Sequence, residues 1–185
     1  IELNQTSGLS SGSVFPIGET INTFVVTDIA GNRVESSFKV MVEDTLKPVV
    51  LTKNITVELD ENGSASIVPE DVDNGSSDNC EISGSILDIT DFSCIDIGNP
   101  VTVTLTLTDV NGNSASETAV VTVEDSNDPV LNIQNLTVYL DENGSASIAA
   151  GDVVLAASDN CAVLDTTLSV NHFSCTDVGV PVSVL

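Results

Sequence analysis

Basic and aromatic residues are scarce in this sequence. Its 185 residues include four Lys and Arg against 28 Asp and Glu, a formal net charge of −24 at pH 7. Nucleic acid is therefore not an expected partner, because phosphate contacts require Lys and Arg. Aromatic residues make up 3% and Trp is absent, so the ring surfaces on which sugars and bases stack are largely missing.

Long apolar runs are also missing. No stretch of 18 uninterrupted apolar residues occurs, so direct membrane insertion is not predicted. The sequence starts without Met or a signal peptide and in the middle of a repeat, and we expect it to be an excerpt from a longer protein. Strong acidity is typical of disorder, but the 41% of hydrophobic residues, mainly Val, Ile and Leu, favours a folded β protein.

An internal repeat organises the chain. The segment Asp60–Ile67, with sequence DENGSASI, recurs as Asp141–Ile148, an offset of 81 positions. The Asp-Asn-Cys and Phe-Ser-Cys triplets recur at the same offset, and Asp109–Asn113 aligns backwards with Asp28–Asn32. A period this long predicts successive units with separate cores. We predict the back part of one unit at residues 1–46, a complete unit at 47–127 and the front part of a third at 128–185.

The pattern within a unit is that of strands. Val101–Thr108 alternates apolar residues with Thr, as a half-buried strand does, and Ala119–Val123 is its expected partner. Ile55–Leu59 and Ala65–Val68 flank the pair Asn62-Gly63, which predicts a hairpin. No segment has the apolar spacing of a helix. Several short strands separated by turns predict an all-β sandwich.

Two motifs carry a family resemblance. Ser11–Gly18, with sequence SGSVFPIG, followed by Thr27–Asn32, with sequence TDIAGN, resembles the hyalin repeat (HYR) family. The later units are similar to tandem repeats of very large Bacteroidetes surface adhesins, including gliding-motility adhesins. The resemblance implies immunoglobulin-like sandwiches, a location on the bacterial surface in association with the outer membrane, and an adhesive or stalk role. The first unit departs from the pattern, because no cysteine precedes Cys80.

The four cysteines form two pairs in sequence, Cys80 with Cys94 and Cys161 with Cys175. An even count at a repeated spacing, in a chain with one His, indicates disulfides. A metal site is disfavoured because Cys-x-x-Cys spacing and further His residues are absent. We expect one bridge within each unit, and buried free thiols are the alternative.

Acidic and amide residues gather where successive units are expected to meet. Clustered oxygen ligands without balancing cations suit Ca²⁺, and Asp125–Pro129 resembles the D-x-N-D linker of cadherins. The same residue types are ordinary turn formers, and solvated turns without a metal are the alternative. The candidate Ca²⁺ ligands are Glu43, Asp44, Asp78, Asp109, Asn111, Glu124, Asp125, Asp128 and Asp159.

Two further motifs bear on covalent chemistry. Gly8–Gly12 fits the G-x-S-x-G pattern of a nucleophile elbow, but it lacks the flanking strand, helix and nearby His that the motif needs. No catalytic residue is therefore predicted, and the chain is not expected to be an enzyme. Asp44-Thr45-Leu46 and Asp165-Thr166-Thr167 resemble the O-glycosylation pattern of Bacteroidetes, which makes Thr45 and Thr166 candidate sites.

These observations predict a non-enzymatic stalk segment of a large repetitive cell-surface adhesin, serving cell adhesion and gliding motility. Its expected partners are neighbouring repeats of the same chain, a surface or glycan ligand, and secretion or motility machinery. Two alternatives stay open. The units could themselves bind a glycan or surface ligand, or they could form the accessory stalk of a secreted enzyme.

Overall fold

The computed structural model describes residues 2–184, and strands dominate them. Each of the two α-helices is a single turn of four residues. Two short 3-10 helices lie at Cys94–Asp96 and Cys175–Asp177. The predicted all-β sandwich class is confirmed. In these residues no helix has the length and apolar character to cross a membrane. The elements are β1 Glu2–Ser7, β2 Gly18–Thr27, β3 Arg33–Val42, β4 Ile55–Glu58, β5 Ser64–Ser66, α1 Pro69–Val72, β6 Ile82–Leu87, β7 Asp91–Ser93, β8 Val101–Asp109, β9 Ser114–Glu124, β10 Val130–Ile133, β11 Ser145–Ser147, α2 Ala150–Val153, β12 Val154–Ser158 and β13 His172–Ser174.

The chain divides into two compact units. The first contains the residues up to Leu51 together with Gly75–Ile86 and Thr106–Glu117. The second contains Thr52–Asn74, Leu87–Leu105 and the residues from Thr118 onward. The repeat boundaries expected at 46/47 and 127/128 stay predictions.

The first unit contains an antiparallel sheet in the order β1-β2-β3. β2 and β3 form a hairpin whose register runs from Gly18 opposite Val42 to Thr27 opposite Arg33. Asp28 closes the turn, because one carboxylate oxygen accepts hydrogen bonds from the backbone N–H of Ala30 and Asn32. This is the local bonding that makes Asp a turn residue.

The second unit shows the repeat in its strand pairing. β5 pairs antiparallel with β7, with Ser64 opposite Ser93. β11 pairs antiparallel with β13, with Ser145 opposite Ser174. Both pairs are related by the offset of 81, so the repeated sequence folds into a repeated structure.

A four-stranded sheet has the order β4-β9-β8-β6, with β4 parallel to β9. Along β8 the predicted alternation is confirmed: Val103 and Leu105 are fully buried and Leu107 nearly so, while Thr106 between them is not. Burying such a side chain stabilises the fold by roughly 1.5–3 kcal/mol. Other buried apolar residues are Leu59, Ile67, Val72, Phe92, Ala119, Val121 and Val123.

The hairpin predicted at Asn62-Gly63 is wrong. A turn does form there, since the Asp60 carboxylate accepts from the N–H of Asn62 at 2.8 Å and Ser64 at 3.0 Å. The strands on either side do not pair with each other, because β4 joins β9 and β5 joins β7. The turn therefore passes the chain from one sheet to another, and residue type alone does not distinguish these two uses of a turn.

The two short helices were also not predicted. Pro69 begins α1, and the Asp71 carboxylate accepts the N–H of Val68 at 2.8 Å. Asp152 bonds to Ala149 in the same way in α2. A single turn buries one residue, so it leaves no repeated apolar spacing in the sequence.

Candidate functional site: the repeat junctions

Asp44 is the centre of a polar cluster that we call the first junction, formed by Asp44, Asp78–Cys80 and Asp109–Asn113. Its carboxylate accepts the side-chain amide of Asn79 at 3.2 Å and that of Asn111 at 3.1 Å. The Cys80 thiol and the N–H of Leu46 also donate to it, and together with the two amides they hold the pKa of Asp44 below its ordinary value. The end of one predicted repeat is thereby bonded to two turns of the next.

Asp109 supports this junction from a buried position, with 1% of its surface exposed. Its carboxylate accepts the N–H groups of Asn111 and Asn113, both at 2.8 Å, and the Asn113 side-chain amide at 2.7 Å. Desolvation raises the pKa of Asp109, but the bonds from Asn113 and Asn111 outweigh it and the net direction is downward. The same Asn113 amide lies 3.1 Å from the Asp44 carbonyl oxygen, so Asp109 orients the amide that meets Asp44.

Cys80 and Asp78 lie beside Asp44. One Asp78 oxygen accepts the Cys80 N–H at 2.7 Å, and the other is buried without a hydrogen-bond partner among the described residues. Potential ligand atoms of Asp44, Asp78 and Cys80 lie within 4.8 Å of one another. The hydrogen bond to Asp44 raises the pKa of the Cys80 thiol, with desolvation and the charges of Asp44, Asp78 and Asp109 adding to it. Cys80 is a free thiol.

The second junction, formed by Asp60, Cys94, Asp125–Asn127 and Asn160–Cys161, lies in the second unit. The Asp125 carboxylate accepts the Asn160 side-chain amide at 3.0 Å and the N–H of Asn127 at 3.1 Å. These bonds, that of Asn160 first, lower the pKa of Asp125. The Asn160 amide also reaches the carbonyl oxygen of Asp60 at 3.1 Å.

The same kind of contact, from an Asn side-chain amide to an Asp carboxylate, occurs at both junctions. Asp44 and Asp125 are separated by the repeat offset of 81, and so are Asn79 and Asn160. In each case the Asn amide donates to the Asp carboxylate, at 3.2 Å and 3.0 Å. The repeat therefore encodes its own connection as well as its fold.

A disulfide reinforces the second junction. It joins Cys94 to Cys161, with the two Cα atoms 5.3 Å apart and a sequence separation of 67. Cys94 Sγ lies 3.7 Å from the Gly63 carbonyl oxygen and 3.6 Å from that of Asn160. Gly63 has φ 71°, and a Cβ there would lie 2.7 Å from Cys94 Sγ and 2.8 Å from the Asn160 oxygen. Only glycine leaves room for this approach.

The expected bridges within each unit, Cys80 with Cys94 and Cys161 with Cys175, are wrong. Cys94 is bonded to Cys161, and both Cys80 and Cys175 are free. The physical reason is location, since Cys80 lies with Asp44 and Asp78 while Cys94 lies with Gly63 and Asn160. A spacing of 14 residues within a unit indicated a local bridge, but the structure uses the two cysteines of a unit at different junctions.

The other predicted Ca²⁺ ligands are distributed more loosely. Glu43, Glu124 and Asp128 are exposed, and Asp159 accepts the Cys161 N–H at 2.9 Å. In the part of the chain that the structure describes, Asp44, Asp78 and Cys80 are the acidic or thiol groups gathered at metal-ligand spacing. The structure thus brings Asp44 and Asp78 together. Asn111 donates directly to Asp44, and Asp109 is connected to Asp44 only through the Asn113 amide.

Remaining sequence candidates lie on the surface. Thr45 and Thr166 are both exposed, as a modification would require. Ser10, the central residue of the G-x-S-x-G segment, shares a hydrogen bond of 3.0 Å with Ser13. The residues that follow it up to β2 form no helix, so the segment does not form a nucleophile elbow.

Residues 3–42 match the HYR domain family. The chain carries a HYR-like repeat. The matched residues contain β1, β2 and β3, and they include both motifs that carried the resemblance in the sequence. The match to the finer Bacteroidetes adhesin pattern stays a prediction.

The chain is also similar to hyalin of Lytechinus variegatus. The two are 32% identical over 150 residues, which cover 74% of this chain and 27% of hyalin. The chain thus spans about a quarter of the length of this curated relative.

Proposed function

We propose that the chain is a non-enzymatic structural segment of a large repetitive adhesin, acting outside the cell as part of a stalk. The observation that carries the proposal is the Asp–Asn contact that recurs at both junctions. A repeat that specifies its own connection is suited to building an extended array. Similarity to hyalin and to the HYR family supports an adhesion-related repeat.

The bonding of the described residues suits a protein under tension. The β2–β3 hairpin pairs ten residues with ten, so pulling must break many backbone hydrogen bonds. The disulfide between Cys94 and Cys161 limits extension, because the chain between two residues separated by 67 positions cannot lengthen while the bond is intact. Its effect on the unfolded chain stabilises the fold by about 4 kcal/mol in the loop-entropy model.

The finer part of the proposal concerns location and partners. Resemblance of the later repeats to Bacteroidetes surface proteins supports a place on the bacterial outer membrane and a role in gliding motility. The partners would then be neighbouring repeats, secretion or motility machinery, and a surface or glycan bound elsewhere on the full protein. The net charge of −24 would keep parallel stalks from adhering to each other.

Ca²⁺ at the first junction is part of the same proposal. The buried, unpartnered oxygen of Asp78 and the adjacent carboxylate of Asp44 are the hard oxygen donors that Ca²⁺ takes. The Cys80 thiol is a soft donor and would not be a ligand. With two carboxylates available, water would complete the coordination, and we expect weak binding at roughly millimolar Ca²⁺.

Titration calorimetry and thermal melting with Ca²⁺ and with chelator test the cation site. We expect a melting point raised by Ca²⁺ in the unaltered chain and unchanged in Asp78→Asn. The control is Asp159→Asn, the equivalent substitution at the second junction. Equal responses of all three proteins would contradict the site.

Modification of Thr45 and Thr166 is proposed from their sequence context and their exposure. Intact mass of the protein purified from its source organism measures it directly. A mass equal to that of the polypeptide would rule out glycosylation at both positions.

The stalk function is tested by stretching single molecules of the chain between handles. Reduction, or the variant Cys94→Ser, should release the loop between the two cysteines, which are separated by 67 positions, and add about 230 Å to the unfolded length. The variant Cys175→Ser should behave as the unaltered chain. Stepless extension at low force would contradict a mechanical role.

A second experiment addresses location and ligand. Antibodies against the chain should label intact cells of the source organism, and label confined to permeabilised cells would contradict a surface role. On a glycan array the chain itself should show no saturable binding. Specific binding there would instead favour repeats that recognise a ligand directly.

A further inference from the structure

The sequence contains a single Asp–Pro bond, Asp128–Pro129, in the linker between β9 and β10. An Asp–Pro bond is weaker in mild acid than other peptide bonds, because the Asp carboxylate can attack its own carbonyl carbon. The Pro nitrogen belongs to a tertiary amide, so it accepts a proton more readily than other backbone nitrogens and is a better leaving group. The equivalent bond of the earlier linker, at an offset of 81, is Lys47–Pro48 and lacks the carboxylate.

The Asp128 side chain is available for this attack. Asp128 and Pro129 are exposed and lie outside any strand, and the Asp128 carboxylate has no hydrogen-bond or ion-pair partner among the described residues. Asp125 differs, since its carboxylate accepts the Asn127 N–H at 3.1 Å and the Asn160 side-chain amide at 3.0 Å. Attack by a carboxylate held in this way would first have to break these bonds. Of the two Asp side chains in the linker, only that of Asp128 is therefore unengaged.

The chain is anchored separately on each side of the Asp128–Pro129 bond. Before the bond, the Asn127 side-chain amide donates to the Leu59 carbonyl oxygen at 3.2 Å. After it, β10 begins at Val130 and pairs with β12, with Val130 opposite Ser158. A break between residues 128 and 129 removes none of these hydrogen bonds. Both segments should therefore keep their places after a cut.

The disulfide of the second junction spans the same bond. Cys94 precedes Asp128 in sequence and Cys161 follows Pro129, so the two products of a cut would stay covalently joined. The Lys47–Pro48 bond lies outside the loop that this disulfide closes. The linker with the labile bond is thus the one that also has a covalent bridge across it.

We propose that Asp128–Pro129 is a self-cleavage site, at which the Asp128 carboxylate breaks its own peptide bond in mild acid, and that the Cys94–Cys161 disulfide keeps the products joined until it is reduced. The uncut second junction has two covalent connections, the backbone and the disulfide, and cleavage leaves only the disulfide. Separation of the two parts then requires acid and a reductant in turn. This inference does not depend on the adhesin proposal.

The cut is a hydrolysis in two steps. A carboxylate oxygen of Asp128 bonds to the Asp128 carbonyl carbon, the bond from that carbon to the Pro129 nitrogen breaks, and the nitrogen takes a proton from solvent. One water then opens the five-membered cyclic anhydride and leaves Asp128 with two free carboxyl groups. Nothing is oxidised or reduced in these steps. Release is a separate reaction, in which an added dithiol reduces the disulfide to two thiols and is itself oxidised to a cyclic disulfide.

The surroundings of the bond are acidic. The titratable groups on the linker and on the turns bonded to it are the carboxylates of Asp60, Glu61, Glu124, Asp125 and Asp159. Their negative charge raises the local concentration of protons, which favours protonation of the leaving nitrogen.

Incubation of the chain in mildly acidic and in neutral buffer, with protease inhibitors present, tests the cut. In acid the intact mass should rise by that of one water molecule, and a non-reducing denaturing gel should show no smaller pieces. Addition of dithiothreitol should then give two pieces, residues 1–128 and 129–185, the second with Pro129 at its amino terminus. Circular dichroism confirms that the strands persist during the incubation. An uncut bond in the folded chain, or pieces that separate without reductant, would overturn the proposal.

Three variants test the mechanism and the bridge. Asp128→Asn removes the nucleophile and should stay uncut over the time in which half of the unaltered chain is cut. The matched control Pro48→Ala changes the equivalent Pro of the earlier linker and should be cut as fast as the unaltered chain. Cys161→Ser should be cut at the same bond, but its pieces should separate without reductant. Equally fast cleavage of Asp128→Asn, or joined pieces from Cys161→Ser, would overturn the proposal.

Discussion

Asn160 donates its side-chain amide to the Asp125 carboxylate at 3.0 Å, and this contact repeats the one between Asn79 and Asp44. Both Asp residues have a lowered pKa, for which the main causes are the bonds from Asn160 at Asp125 and from the Cys80 thiol at Asp44. The charged form of each carboxylate is thus favoured at its junction. These two acidic residues therefore have a structural role in the chain.

The lowered pKa of Asp125 predicts a pH dependence. A carboxyl group whose pKa is lower in the folded than in the unfolded state stabilises the fold above the unfolded value of about 3.9 and loses this effect as pH falls through the folded value. The unaltered chain should therefore be more stable than Asp125→Asn at pH 7, and the difference should shrink below about pH 4. Urea unfolding of both proteins from pH 3 to 7 measures it. General charge repulsion is nearly equal in the two proteins, so a difference that stays constant with pH would contradict the prediction.

The inter-repeat disulfide should be the largest single covalent contribution to stability. Closing the loop from Cys94 to Cys161 is worth about 4 kcal/mol in the loop-entropy model. Cys161→Ser should lower the free energy of unfolding by this order, and addition of a reductant should have the same effect on the unaltered chain. Cys175→Ser changes an exposed free thiol and should alter stability by less than about 0.5 kcal/mol. Equal losses in the two variants, measured by urea unfolding, would show that the bridge has no special effect.

Much of the fold could be predicted from the sequence, because strand alternation and the repeat are local signals. The alternation of apolar residues and Thr in Val101–Thr108 predicted which face of the strand is buried. The offset of 81 predicted that the paired strands β5–β7 and β11–β13 would have equivalent structures. The hairpin at Asn62-Gly63 was wrong because a turn motif specifies the bend and not the partner of each strand. Partner choice depends on contacts distant in sequence, such as β4 with β9.

The junctions were predicted as regions, but their chemistry was not. Asp44, Asp78 and Asp109 were singled out as metal ligands, and this stays a prediction. What the sequence did not indicate is that Asn79, Asn111 and Asn113 serve as amide donors to Asp44. The repeated pairing of Asp44 with Asn79 and Asp125 with Asn160 was visible as a shared offset. No sequence pattern indicated the bridge between Cys94 and Cys161. Cys80 lies closer to Cys94 in sequence, so the sequence favoured Cys80 as its partner.

Asp109 should be more sensitive to substitution than its repeat counterpart Asp28. Both carboxylates accept two backbone N–H groups and one Asn amide, but Asp109 is buried and Asp28 is exposed. Asp109→Asn places an amide opposite the Asn113 amide, leaving a buried donor without an acceptor. Its melting temperature should fall clearly further than that of Asp28→Asn. Equal melting temperatures would mean that burial of this turn does not matter.

The alternation of β8 predicts unequal losses of stability for substitutions at neighbouring positions. Leu105 is fully buried, so Leu105→Ala should lower the free energy of unfolding by about 2–5 kcal/mol through lost apolar contact and a cavity. Thr106 faces the other side and shares a hydrogen bond of 2.8 Å with exposed Ser116. Thr106→Ala should therefore cost less than about 1 kcal/mol. Chemical denaturation of both variants checks the pair, and similar losses would contradict the assigned faces.

The reactivity of Cys80 should be controlled by Asp44. The hydrogen bond to Asp44, followed by desolvation and nearby carboxylates, raises the pKa of the Cys80 thiol, so less of the reactive thiolate exists at a given pH. Asp44→Asn removes the negative charge and should bring the pKa of Cys80 down toward its ordinary value. Alkylation of Cys80 by iodoacetamide at pH 8 should then be faster, while Cys175 in the same protein serves as the internal reference. The control Glu35→Gln removes an exposed charge on β3 and should leave both rates unchanged. Peptide mass spectrometry over time gives the rate at each cysteine, and a Cys80 rate unaffected by Asp44→Asn would show that Asp44 does not protect the thiol.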